Sequence, residues 1–140
     1  MKKINQPIFW ILSFTWGILM TLIGLIVAVV LCSIGCKPRR NQYGLHFMCG
    51  HHWGGLSLGC VNITDHTPSQ HTLNHEFGHS IQNCMYGPLM VFITLASVTR
   101  YHYRNWIKKH KPQTSLPPYD SIWFEGEASE LGEYYKQRNQ

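Results

Sequence analysis

No aspartate or glutamate occurs before Asp65 in this chain of 140 residues, and the net charge is +5. The five cysteines, Cys32, Cys36, Cys49, Cys60 and Cys84, contain no CxxC pair, which argues against a cysteine-built zinc module. Two of them fall in or beside an apolar run. The three that remain are an odd number, so no disulfide framework is indicated and a reducing compartment is favoured. There is no internal repeat and no low-complexity tract. The length suits one small domain.

Charge is also missing from a long stretch near the start. Residues 8–35 read IFWILSFTWGILMTLIGLIVAVVLCSIG, 28 positions with no charged side chain. At ~1.5 Å per residue a helix of that length reaches about 42 Å, against the ~30 Å of a bilayer core. The run is about twice the ~7–15 residues of a signal-peptide core. It reads as a retained membrane anchor; a cleaved or lipidated leader and a buried helix are the alternatives. The expected plan is an α+β protein, with residues 1–36 as a transmembrane anchor and residues 37–140 as the folded domain.

Within that domain, residues 53–63 show leucines alternating with small residues between glycines, the pattern of one strand. Thr67 and Pro68 suit the cap and first turn of a helix over 68–85, closed by Gly87-Pro88. Residues 89–98 form an apolar segment too short to span, fit for a buried or interfacial helix. A basic stretch follows, with Arg100, Arg104, Lys108, Lys109 and Lys111. Beside an anchor it suits anionic lipid better than nucleic acid, and a solvated helix face is the plain alternative. A last helix over 122–138 places Phe124, Ala128, Leu131 and Tyr135 on one face as its core stripe.

The chemistry is concentrated at His75-Glu76-Phe77-Gly78-His79, which fits HExxH. On a helix, positions i and i+4 share a face, so both imidazoles reach one cation, and neutral imidazole suits zinc. Glu76 falls beside the metal, where it serves as general base toward the attacking water. A catalytic zinc needs a third protein ligand. Glu125 shares a helix face with Ser129 and Gly132, small enough to let the last helix approach the HExxH helix. Glu127 and Glu130 lie about 200° and about 140° away round the helix, placed to be solvated. Asp120 is the alternative third ligand. Cys49, His51 and His52 could form a second metal site or a loop beside the first. Tyr119, Tyr134 and Tyr135 are each candidates to donate to a developing oxyanion.

The segment Glu125-Gly126-Glu127-Ala128-Ser129 resembles the E-G-x-A segment of gluzincin metallopeptidases, notably the membrane-alanyl-aminopeptidase branch. The plan of membrane helix, HExxH and downstream Glu helix is similar to that of membrane gluzincins of the CAAX-processing type. The resemblance implies a zincin-like fold, one Zn2+ per chain held by His75, His79 and Glu125, and hydrolysis of a peptide or protein substrate. Ser129 stands where many gluzincins carry an aspartate that orients a histidine. A non-catalytic zinc-binding membrane protein and a metallo-amidase are the rival functions. The positive residues flanking the run, with the unpaired cysteines, lean toward a single-pass protein whose catalytic domain faces the cytoplasm.

Overall fold

The computed structural model describes residues 4–41 and 43–137. The N-terminal apolar run is not one rod. It forms α1 (Gln6–Phe14) and α2 (Ile18–Ser33), set at 90° to each other. Thr15 ends α1, its hydroxyl turned back onto the Ile11 carbonyl at 2.7 Å, and the Asn83 amide donates to the Gly17 carbonyl at 3.2 Å. The bend is thus held by a contact with the HExxH helix, information that a uniformly apolar sequence does not carry. The inner faces of α1 and α2, through Phe9, Met20 and Ala28, share one buried cluster with Phe47, Leu58, Val61 and Ile81 of the domain. Their outer faces leave Ile11, Leu22, Ile26 and Val29 exposed.

The protein is mixed α+β with a four-stranded sheet. β1 (Arg39–Asn41), β2 (Gly44–Met48), β3 (Gly55–Leu58) and β4 (Val61–Thr64) lie in the order β1-β2-β4-β3. β2 and β4 are parallel; the other two pairings are antiparallel. The single strand expected over 53–63 is therefore a hairpin, with Leu56 opposite Ile63 and Leu58 opposite Val61. The chain reverses at Gly59-Cys60, and β3 becomes an edge of the sheet.

The HExxH helix is α3 (Gln70–Tyr86). Its cap is Ser69, which accepts from the Thr72 N–H at 3.0 Å, two residues later than expected. Thr67 donates its N–H to Asp65 instead, closing the turn that leads into Pro68. Gly87-Pro88 does not end the helical path. A 3-10 turn over Gly87–Leu89 passes directly into α4 (Met90–His110). The basic stretch is thus the second half of α4, and Lys108, Lys109 and His110 in its last turn complement the helix dipole. Together Gln70–His110 make the one helix among the described residues long and apolar enough to cross a membrane, with 39% of its apolar window buried inside the protein. α4 presents Phe92, Leu95, Tyr103 and Trp106 outward.

α5 (Trp123–Gln137) buries Phe124, Ala128, Leu131 and Tyr135, the expected stripe. The expected helix end at Arg138 lies outside the described residues, as do Lys2 and Lys3. α5 packs on α3 backbone to backbone at two points. Gly78 lies against the Ala128 carbonyl, and Gly132 against the Asn74 carbonyl; a Cβ at either would collide with backbone. Gly78→Ala should therefore cost about 3 kcal/mol, the upper range for overpacking. Chemical denaturation checks this, and a wild-type midpoint would show that the two helices can part without loss.

Candidate metal centre and the cleft beside it

α3 brings His75 and His79 to one face, one turn apart, and α5 brings Glu125 against them. The Glu125 Oε2 lies 3.0 Å from the His75 Nε2 and 3.2 Å from the His79 Nε2, and the two nitrogens are 3.2 Å apart. Three donors each ~2.0–2.1 Å from one tetrahedral cation stand about 3.3–3.4 Å apart. All three residues are buried, Glu125 completely, and they form a group that could hold a metal ion.

The surrounding hydrogen bonds decide which ring atoms face the centre. The Ser129 hydroxyl donates its one proton to Asp120 Oδ2 at 2.7 Å, so it accepts from the His75 Nδ1–H at 2.9 Å. The Gln82 amide nitrogen donates to the Phe124 carbonyl and to Glu127, each at 2.8 Å. Its oxygen accordingly accepts from the His79 Nδ1–H at 2.7 Å. Both histidines carry their proton on Nδ1 and turn the Nε2 lone pair inward, the tautomer a metal ligand requires. Two lone pairs and a carboxylate then converge with no donor between them, a group that could hold a cation. Glu125 Oε1 accepts from Ser97 on α4.

Glu76 sits on the β3 side of α3. Its carboxylate lies 2.6 Å from the Ser57 hydroxyl, and its chain packs where Gly55 has no Cβ. Burial pushes this carboxyl up, partly offset by His79 and by Ser57. A cavity of about 270 Å³ opens beside it, between β3, α3 and α4, with Trp53, Leu56, Met90, Thr94 and Tyr119 among its walls. Burial also pushes the Tyr119 phenol up, to about 12, and its hydroxyl lies 3.4 Å from Ser97. Tyr119 alone of the three candidate tyrosines lines this cavity. The Tyr135 hydroxyl accepts from the Ile4 N–H in the core, and Tyr134 packs edge-on against the Tyr135 ring.

Other expectations need correction. Glu127 is half-buried and engaged: it accepts from Gln82 and from the Tyr86 hydroxyl at 2.8 Å, because the Gln82 side chain reaches across from α3. Glu130 is exposed as expected. Cys49, His51 and His52 do not assemble a metal group among the described residues, and the His51 ring faces His66 instead, 4.9 Å between centroids. Asp120 is not a third ligand beside His79. It lies behind Ser129 and 3.5 Å from the His71 Nε2, within a second cluster of His71, His75 and Asp120. The sequence reading missed Gln82, Ser97 and Ser57. Gln82, three residues after His79 on the same helix, carried a local signal; the other two carried none.

No protein family, curated protein or solved structure matches the chain.

The Asp120–Ser129–His75 chain yields an affinity prediction. Ser129→Ala and Asp120→Asn should each weaken metal binding by about 10–100-fold, the usual effect of losing an outer partner of a ligating histidine. The exposed Glu130→Ala should bind as wild type does. Competition against a chromophoric chelator measures all three.

Proposed function

We propose that the protein is a zinc-dependent metallopeptidase of gluzincin type, attached to a membrane, with Glu76 as its general base. The observation that carries this reading is the convergence of two Nε2 lone pairs and the Glu125 carboxylate beside a cavity that Glu76 also lines. Two imidazoles and one carboxylate form a known catalytic zinc donor set. No fourth metal-ligating side chain joins the group among the described residues, which favours a catalytic site over a closed structural one. Bound zinc supplies a Lewis acid that polarises the scissile carbonyl and acidifies water.

The chain's own residues do the rest. Glu76, held by Ser57 and with its proton affinity raised by burial, takes a proton from the attacking water and returns it to the leaving amine. Tyr119 donates to the oxyanion as it forms. β3 is paired on one side only, so an extended peptide can add to its free edge, close to Glu76. The test is zinc analysis of the purified protein beside cleavage of a peptide library, with Glu76→Gln as control. Stoichiometric zinc with cleavage supports the reading, and protein without zinc overturns it.

Membrane attachment rests on the exposed apolar faces of α1, α2 and α4. α2, with 16 residues, spans only ~24 Å and has one face against the sheet, so we read it as lying in the bilayer interface. Arg100 and Arg104 are not free for lipid. They donate to the carbonyls of Tyr119 and Pro117 and lie over the Tyr119 ring. Lys108, Lys109 and Lys111 remain exposed for anionic head groups. Alkaline carbonate should leave the protein in the membrane pellet, and its appearance in the supernatant would count against attachment.

A further inference from the structure

Cys36 follows the end of α2, and Cys49 follows the end of β2. β1 and β2 pair antiparallel as Arg39 with His46, Arg40 with Leu45 and Asn41 with Gly44. Extrapolated three residues beyond the ladder, past Pro38, that register points Cys36 toward Cys49. Their side chains are close enough there to interact. Residues facing each other across an antiparallel pair have Cα atoms ~4.5–5.5 Å apart, inside the ~4.4–6.8 Å that a disulfide spans. Both side chains are half-buried and so reachable from solvent, whereas Cys60 and Cys84 are buried.

We propose that Cys36 and Cys49 are a dithiol–disulfide pair that locks the end of α2 to the end of β2 when a small-molecule disulfide such as glutathione disulfide is present. Assigning Cys36 to an anchor left an odd cysteine in the domain; the fold pairs it instead. In the reaction the Cys36 thiolate attacks one sulfur of glutathione disulfide, forming a mixed disulfide and releasing one glutathione thiolate. The Cys49 thiolate then attacks the Cys36 sulfur, forming the internal bond and releasing the second. The two protein protons end on the two glutathione thiols, so two cysteines are oxidised and one disulfide is reduced. Burial and the contact with Cys36 push the Cys49 thiol up to about 11.

The pair also touches the cleft. The Cys49 carbonyl accepts from the Trp53 indole N–H at 2.7 Å, and Trp53 is a wall of the cavity beside Glu76. The Cys49 N–H donates to the Thr64 carbonyl at 2.8 Å. The lock therefore fixes the loop between β2 and β3 from its root. The inference stands apart from the metallopeptidase reading, since it concerns thiols and not the metal.

The experiment uses the full chain in detergent micelles, fully reduced, then incubated with glutathione disulfide. Free thiols are alkylated, and the protein is digested and mass-analysed without reductant. The expected product is a single species linking the Cys36 and Cys49 peptides, two hydrogens lighter than their sum, and restored to two peptides by dithiothreitol. The Cys36→Ser variant should lose that species, and the Cys32→Ser variant should keep it. Separate glutathione adducts on Cys36 and Cys49 that persist without linking would overturn the proposal. A link from either residue to Cys32 would do the same.

Discussion

Glu76→Gln is expected to retain a full complement of zinc and to lose peptide hydrolysis by about a thousandfold, within the range for removing a general base. Glutamine has nearly the shape of glutamate, so it fits the slot against Gly55 and keeps a partner in Ser57. What it lacks is a carboxylate able to accept the proton of the attacking water. Burial sharpens the contrast, because a proton acceptor held above its ordinary carboxylate value is better matched to neutral pH. Metal analysis and turnover should be measured on the same preparation. Undiminished turnover would remove Glu76 from the role of base. Loss of zinc would instead place its carboxylate among the ligands.

Removing Glu125 should affect the metal more than any outer change. Glu125→Ala takes away one of three converging donors and leaves the two Nε2 lone pairs facing an apolar gap. The loss of affinity should exceed the ~10–100-fold expected for an outer partner. Glu127→Ala belongs to that milder class. It removes the acceptor that, through Gln82, keeps the proton of His79 on Nδ1. Glu125→Gln, which preserves the shape, separates metal loss from misfolding when both variants are compared by circular dichroism. Equal zinc content in Glu125→Ala and Glu127→Ala would remove Glu125 from the ligand set.

The parts of this site that were legible beforehand are local. His75 and His79 lie four residues apart, and helical geometry alone puts them on one face. The face that Glu125 shares with Ser129 and Gly132 follows from the same arithmetic, and the approach of α5 to α3 through glycines is its consequence. The partners of Glu127, Ser57 and Ser97 depend on which elements meet, and no spacing encodes that. The bend between α1 and α2 was hidden for another reason. A segment apolar on every side has no periodicity to interrupt, and the break is stabilised by Asn83, more than sixty positions away. The β3–β4 hairpin lacks a polar or proline turn at Gly59-Cys60, and its one local sign is the shift of large residues from Leu56 and Leu58 to Val61 and Ile63, from even positions to odd.

The placement of Glu125 on the last helix has a consequence for biosynthesis. The two histidines leave the ribosome well before α5, so through much of synthesis the polar face of α3 has neither its carboxylate nor its cover. Gly78 and Gly132 let that helix dock flush against α3, with no side chain between the two backbones at those points. The same helix that covers this face of α3 also carries the third member of the metal-binding group. A nascent chain stalled before Trp123 holds both histidines but lacks the carboxylate and the helix that carries it.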